Sequence, residues 1–314
     1  MKVSLLIPVF NCLPYLPRAF DSFMNQTLED MEVVVVDDCS IDGSYQWLVE
    51  LSKNTTCPEC LRLLRHERNR GVAAARNTLL AAAKGEYTFF VDADDWLELD
   101  AMEKLLAEAE RTGADMVSCD QLLHYADRTD RVSLPLNNTG VANVKAVWNG
   151  ELVGGLSHVL VLRSLYEESG ASFIEGADYA EDLQAKVKLF LNAQKFAYVP
   201  EAFYHYDQTN AESVSHKTSE KKVAGRFQNV ISILKTLNRQ PEEFKELIIQ
   251  LKVEARTHAI RLRYEFGNSK YDLPAIYPEC SHWSDITSFR CSPRIRLYMV
   301  LEKLGLGHLI ALLK

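Results

Sequence analysis

No apolar run in the 314-residue chain approaches the ~18–20 residues needed to cross a bilayer, so a membrane-spanning segment is not expected. Basic charge is also scarce. Lys and Arg number 35 against 43 Asp and Glu, a formal net charge of −8, which excludes a general nucleic-acid binder as the reading of this chain. The early apolar stretch 3–10 has only Lys2 ahead of it and stops at Asn11. It is too short and too poorly flanked for a secretion signal and reads as a buried strand. Cysteines are few, odd in number and scattered (12, 39, 57, 60, 119, 280 and 291), the pattern of a reduced, cytoplasmic protein. Several motifs are missing too. There is no G-x-G-x-x-G after the first strand, no P-loop, no G-x-S-x-G elbow and no H-E-x-x-H helix. Cys57-Pro58-Glu59-Cys60 has zinc-like spacing, and Cys280 and His282 could in principle complete a site, but one C-x-x-C without a matching pair is a weak zinc signal.

What is present is a core and a rhythm. Apolar residues make up 47% of the chain and charged residues 25%, the balance of a folded protein. Short β-branched or aromatic runs at 3–8, 32–37, 61–66 and 87–92 alternate with helical spacing at 16–25, 44–51, 72–84 and 100–112. This α/β alternation predicts a parallel, twisted sheet with helices on both faces, whose ligands sit at the carboxyl ends of the strands. Those ends carry Asn11, Asp37-Asp38, Asn69 and the run 92–95. Further on, 116–124 reads as a strand, 129–140 as polar and turn-rich, 180–192 as a helix, 195–199 and 202–206 as two short strands, and 207–218 as a loop. From 220 the pattern is helical, clearest at 227–237 and 242–264, which places a boundary near 216 and divides the chain into 1–216 and a helical 217–314. The stretch 290–314 carries five basic residues and one acid, a net +4 that leaves −12 on the rest. Leu297, Val300, Leu301 and Leu304 give it an apolar stripe. Such a helix either lies on an anionic membrane surface or docks on its own domain, and periodicity does not choose between these.

The chemistry concentrates in Asp92-Ala93-Asp94-Asp95. In an extended chain Asp92 and Asp94 point the same way, so they repel unless a cation relieves them. Hard oxygen ligands of this kind suit Mg²⁺ or Mn²⁺ shared with substrate phosphates. The plain alternative is a strand-to-helix turn in which Asp94 or Asp95 caps the next helix. Asp37-Asp38 repeats the arrangement one strand earlier, where a carboxylate can accept from a base N–H or a ribose hydroxyl. Asp42 or Ser44 then reads as a cap. Asn69-Arg70-Gly71 opens a helix of small residues with Arg76 one turn inside, a forked donor for phosphate or carboxylate, or else half of a surface ion pair.

The order and spacing of Ile7-Pro8-Val9-Phe10-Asn11, the 37–44 run, 69–77, 92–95 and Ala180-Glu181-Asp182 resemble family 2 glycosyltransferases over roughly the first two-thirds of the chain. The resemblance implies a GT-A fold, a UDP-sugar donor, a Mn²⁺ or Mg²⁺ ion held at a DXD motif, and inversion at the anomeric carbon. It implies that Pro8, Phe10, Asp38 and Asn69 line the uridine pocket, with Phe10 where Tyr is usual. Arg76 and Asp92 would bind near the ribose and diphosphate, and Asp94, with Asp92, would hold the metal. Asp182 matches the catalytic base; acids in a first helical turn are also favourable for the helix alone. The acceptor would be a saccharide or a lipid-linked molecule, in bacterial surface polysaccharide or glycolipid synthesis, with 290–314 touching the cytoplasmic face of the membrane. Phe203-Tyr204-His205-Tyr206 and Ser213-Val214-Ser215 resemble the family's aromatic strand and flexible loop. His205 and His216 either approach the metal and phosphates or are packed, hydrogen-bonded histidines. One departure is the stretch 157–165, where relatives commonly carry a Trp and a Lys. Competing readings are a sugar-nucleotide pyrophosphorylase, which should show a Gly-rich loop after the first strand, and a degenerate nucleotide-sugar binder, against which Asp92, Asp94 and Asp182 argue.

Overall fold

Strands Val3–Val9 (β1) and Met31–Asp37 (β2) are almost wholly buried, as continuous apolar runs covered on both faces must be. They pair in parallel, Val3 opposite Met31 through Val9 opposite Asp37. In this computed structural model, which describes all residues except 56, 211–218, 281, 283, 285, 287–290 and 314, contacts divide the chain into two units. One is Met1–Gly176 with Ala185–His216; the other is Ala177–Gln184 with Lys217–Lys314. Relative to a boundary at 216, one segment changes sides: Ala177–Gln184, which carries Asp182, goes with the C-terminal helices.

In the first unit Leu61–Arg65 (β3) joins β2 and Tyr87–Phe90 (β4) joins β1, both in parallel. Helices Leu16–Met24 (α1), Ser44–Asn54 (α2) and Val72–Ala82 (α3) make the crossovers. The sheet order is β3-β2-β1-β4-β8-β6-β9-β5, with β7 paired to β6. Strand order therefore reverses between β1 and β4, the switch point where α/β sheets bind ligands. The expected parallel sheet ends at β4. After Trp96–Leu97 (β5), Ala101–Thr112 (α4), Met116–His124 (β6), Thr129–Val132 (β7) and Gly140–Asn149 (α5), strand Val159–Leu162 (β8) runs antiparallel to both β4 and β6. The departure at 157–165 is thus mostly a buried strand followed by helix Arg163–Ser169 (α6).

Strand β7 falls in the stretch that reads as turns because it has no apolar face. It is anchored by Asp120, whose buried carboxylate accepts from Arg131, Ser133, the Leu134 amide and Tyr198. Beyond helix Glu181–Asn192 (α7), the two short strands expected at 195–206 are one, Phe196–Asp207 (β9). Its register against β6 slips between Cys119–Val199 and Asp120–Ala202, which leaves Pro200-Glu201 unpaired. Proline cannot donate to the ladder, so the strand bulges there instead of ending. The core joins Leu5, Ile7, Val33, Val35 and Phe89 of the sheet to Phe20 and Phe23 of α1.

Cys57 and Cys60 form a disulfide, which corrects the expectation of reduced cysteines and uses both sulfurs of the zinc-like spacing.

The second unit holds Glu220–Leu237 (α8), capped by Ser219, then Lys245–Ile260 (α9) with a π turn at Arg261–Glu265, and Pro293–Lys303 (α10). Its core packs Val253, Ala259 and Ile260 with Tyr298, Met299 and Ile310. The C-terminal helix therefore docks within its own unit. The docked side is centred on Tyr298 and Met299, with Val300 and Leu301 of the stripe read from sequence packed beside them, while Leu297 and Leu304 of that stripe are exposed. Among the described residues no helix is long and apolar enough to cross a membrane.

Candidate active site

At the switch point the first two strand ends are laced together. The Asn11 amide donates to Ser40 Oγ, and Asn11 Oδ1 accepts from the Ile41 amide. The Cys12 amide reaches Ser44 Oγ, and Leu13 donates to Asp42, which also accepts from the Ser44 amide and hydroxyl. Asp42 and Ser44 thus organise the start of α2 by bonds to this loop. Phe10 follows β1 and is 45% exposed, beside half-buried Pro8. The Asp38 amide donates to the Val9 carbonyl, so Phe10 and Asp38 leave the sheet side by side.

Asp38 is buried, and its carboxylate is heavily used. Oδ1 meets His66 Nδ1 at 2.6 Å and accepts from the Arg70 amide at 2.9 Å; Oδ2 accepts from the Gly71 amide at 2.7 Å. These bonds draw the 69–71 loop, with exposed Asn69, to the end of β2. Gly71 turns this corner at φ +92°, a conformation that a Cβ disfavours. One turn into α3, Arg76 is buried and not on the surface. Its Nη2 donates to Asp92 Oδ1 at 3.1 Å, and its guanidinium lies 5.8 Å from the ring centres of both Phe90 and Phe173.

Burial alternates along 91–97. Asp92, Asp94 and Trp96 are half-exposed, while Val91, Ala93, Asp95 and Leu97 are buried. Asp92 and Asp94 thus share the open side, as the extended chain requires. Asp95 does not cap α4. Its carboxylate accepts from Tyr204 Oη and from the Asp207 amide. Burial, then the charges of Asp94 and Asp92, push the Asp95 carboxyl well above the usual range. Burial and then Asp92 also raise the Asp94 carboxyl, which accepts from Asn210 Nδ2 at 2.9 Å. Crowded carboxylates with raised values gain from a cation, and the donor set is all oxygen. Among the described residues these acids form no ready three-ligand cluster.

Arg18 secures the turn from below. Its Nη2 donates to the Asp94 carbonyl at 2.7 Å and to Asp207 Oδ2 at 2.6 Å, and its guanidinium stacks 3.9 Å from the Trp96 ring centre. His205 stacks on Trp96 and bonds Glu98 and His124, so it is a packed histidine. His216 and the 213–215 loop lie outside the described residues. Tyr204 lies in the 203–206 run that resembles the family's aromatic strand, whereas Arg18, His66, Asp207 and Asn210 carry no signal in the sequence that singles them out, with one exception. Asp207 was discoverable, because it stands at the carboxyl end of a strand as Asp37 does. Asp182 lies in the first turn of α7, in the segment that belongs to the second unit.

The glycosyl transferase family 2 model matches residues 4–166, more than half the chain. The chain belongs to that family. This family 2 glycosyltransferase is 29% identical over 211 residues to an uncharacterized glycosyltransferase, EpsJ of Bacillus subtilis, covering 65% of this chain and 60% of that protein. The matched region thus spans well under two-thirds of that relative. Among solved structures, Staphylococcus aureus TarS 1–349 in complex with UDP-GlcNAc superposes with a TM-score of 0.68 at 20% identity, over 99% of this chain and 90% of that one. A mannosyltransferase from Pyrobaculum calidifontis in complex with GDP-Man and Mn²⁺ gives 0.54 at 19% identity, over 99% and 87%. The fold of this family 2 glycosyltransferase is GT-A, and TarS, a poly(ribitol-phosphate) beta-N-acetylglucosaminyltransferase, is also among the relatives by sequence, 28% identical over 210 residues. The family match ends before Asp182.

Proposed function

We propose that the protein transfers a sugar from a UDP-sugar to a hydroxyl of a saccharide or lipid-linked acceptor, with inversion, in building a bacterial surface polysaccharide or glycolipid. The observation that carries this reading is the buried Arg76 paired to Asp92 beside Asp94, at the sheet's switch point. Phe10 offers an open ring for uracil to stack on, with Pro8, Asp38 and Asn69 around it. Arg76 and Asp92 serve the ribose and diphosphate. Asp94, helped by Asp92, would hold Mn²⁺ or Mg²⁺. When bound, that ion offsets the charge gathering on the leaving diphosphate.

Asp182 takes the proton from the acceptor hydroxyl while its oxygen bonds to the anomeric carbon. The carbon–oxygen bond to the diphosphate breaks on the opposite face, and its electron pair leaves with UDP. For a lipid-linked acceptor, α10 offers Arg294 and Arg296 beside exposed Leu297, with Leu304 and Leu312 near its end, a surface suited to peripheral contact with an anionic membrane.

The test is nucleoside diphosphate release (UDP or GDP) from a panel of UDP- and GDP-sugars. UDP-sugars should turn over with Mn²⁺ and stop turning over with chelator. A preference for GDP-sugars, or turnover indifferent to chelator, would refute the donor or the metal assignment.

A further inference from the structure

The turn that leads to Asp182 is built by the C-terminal helices. Residues Lys221, Gly225 and Asn229 of α8 are four apart and share one helical face. All three meet the segment before Asp182. Lys221 Nζ pairs with Asp178 Oδ2 at 2.7 Å. Gly225 lets the backbones close: a Cβ there would lie 3.1 Å from the Ala177 carbonyl carbon and 3.2 Å from its Cα. Asn229 has no exposed surface, and its Nδ2 donates to the carbonyls of Ala177 and Tyr179, each at 2.9 Å. The next residue, Ala180, adopts φ +60°, which a residue with a Cβ rarely does. Glu181 and Asp182 come at once as the first turn of α7. A left-handed alanine persists only where its surroundings over-determine it. The two hydrogen bonds from Asn229 are the means on this side.

We infer that Asn229 is a positioning residue for the base: by holding the carbonyls of Ala177 and Tyr179 it sets the direction in which α7 starts and hence the aim of the Asp182 carboxylate. The inference rests on Asp182 being the base. It makes the C-terminal helical unit a working part of the transferase, since that unit supplies both the base and its support. Small misplacements of a base are costly, on the order of a hundredfold in rate for an ångström.

Asn229→Leu keeps the branched shape, with somewhat bulkier methyl groups, and removes the donor. Three readouts test it on the full chain: UDP affinity with Mn²⁺, the rate of UDP release from UDP-GlcNAc, and amide hydrogen exchange of Ala177–Gln184. The expected result is UDP affinity within twofold of wild type, a kcat lowered at least tenfold, and faster exchange in that segment but not in β1 or β4. In an Asp182→Asn background the same substitution should cost nothing more, because residues acting as a unit are not additive. Gly225→Ala, which pushes the same backbone, carries the test if Asn229→Leu does not fold. Equal losses in both backgrounds, or an unchanged kcat in Asn229→Leu where Asp182→Asn is inactive, overturn the positioning role alone. Full turnover by Asp182→Asn removes the base assignment and the inference with it.

Discussion

Asp38→Asn separates two roles for one carboxylate. Asp38 stands where the family resemblance puts a uridine contact, yet its oxygens already meet the Arg70 amide, the Gly71 amide and His66. An asparagine keeps one acceptor oxygen and turns an NH₂ toward a remaining donor. If the oxygen stays with Arg70 and His66, the buried Gly71 amide faces a second donor and is unsatisfied, at about 1–3 kcal/mol. The two surviving bonds lose their charge assistance, roughly 1 kcal/mol more. The sum is about 2–4 kcal/mol of stability, on the order of 10 °C in Tm for a unit of this size. Thermal unfolding followed by near-UV circular dichroism measures it, with UDP binding measured in parallel. Weaker UDP binding with the full loss of Tm means that the carboxylate acts by holding the 69–71 loop. A Tm within about 1 °C of wild type, with UDP binding lost, would refute that role and leave Asp38 as a direct ligand.

Asp94→Ala should remove the Mn²⁺ dependence of UDP binding, seen by calorimetry with and without the ion; unchanged dependence would show that the ion is held elsewhere. Arg18→Met keeps the stack on Trp96 but frees the Asp94 carbonyl and Asp207, so Mn²⁺ affinity in the presence of UDP should fall about tenfold while apo stability drops by about 1–2 kcal/mol, the worth of two lost charge-assisted bonds at a half-exposed site. Burial, then the Lys186 ammonium, holds His158 well below its ordinary value. The unfolded chain therefore takes up a proton near pH 6.5 that the folded chain refuses, so stability falls as pH drops below about 6.5. His158→Gln should flatten the Tm-against-pH curve there, and a curve as steep as wild type would point to other groups. Replacing exposed Leu304 and Leu312 with Ser should leave Tm within about 2 °C but reduce flotation with anionic vesicles; equal flotation would end the membrane reading.

What could be read from the sequence was whatever local periodicity controls. Alternation in 91–97 sends Asp92 and Asp94 to the open side, and the strand–helix rhythm puts them at a carboxyl end, so both were legible. The same alternation sends Asp95 inward, where a carboxylate needs partners. The need was readable, but the pairing with Tyr204 and Asp207 was not, because they lie 109 and 112 residues further on. Arg18 and Asp207 are 189 residues apart, and only the closed sheet brings them together. Helix α10 shows a different limit. Its apolar residues keep a helical period, but periodicity alone does not say how much of the stripe is covered: Val300 and Leu301 pack on the unit's core, whereas Leu297 and Leu304 stay exposed.

Asp182 combines both cases. Acids in a first helical turn are visible in sequence, and so was the helix at 180–192. The unit that holds the helix start was not visible, because nothing in Ala177–Gln184 names a partner, and Asn229 lies 52 residues beyond Ala177. A boundary drawn at 216 treats the C-terminal helices as an appendage to a finished sheet domain. The bonds from Asn229 and the closeness allowed by Gly225 argue the reverse: with 217–314 removed, the Ala177 and Tyr179 carbonyls lose their donors, and the left-handed Ala180 loses part of what holds it. The switch-point framework around Asp38, Arg76 and Asp94 draws only on residues of the first unit. On the proposed assignments, holding the donor draws on Asp38, Arg76 and Asp94, whereas taking the proton draws on Asp182, whose segment is grouped with the C-terminal helices. Changes in α8 should then alter turnover while leaving nucleotide binding intact.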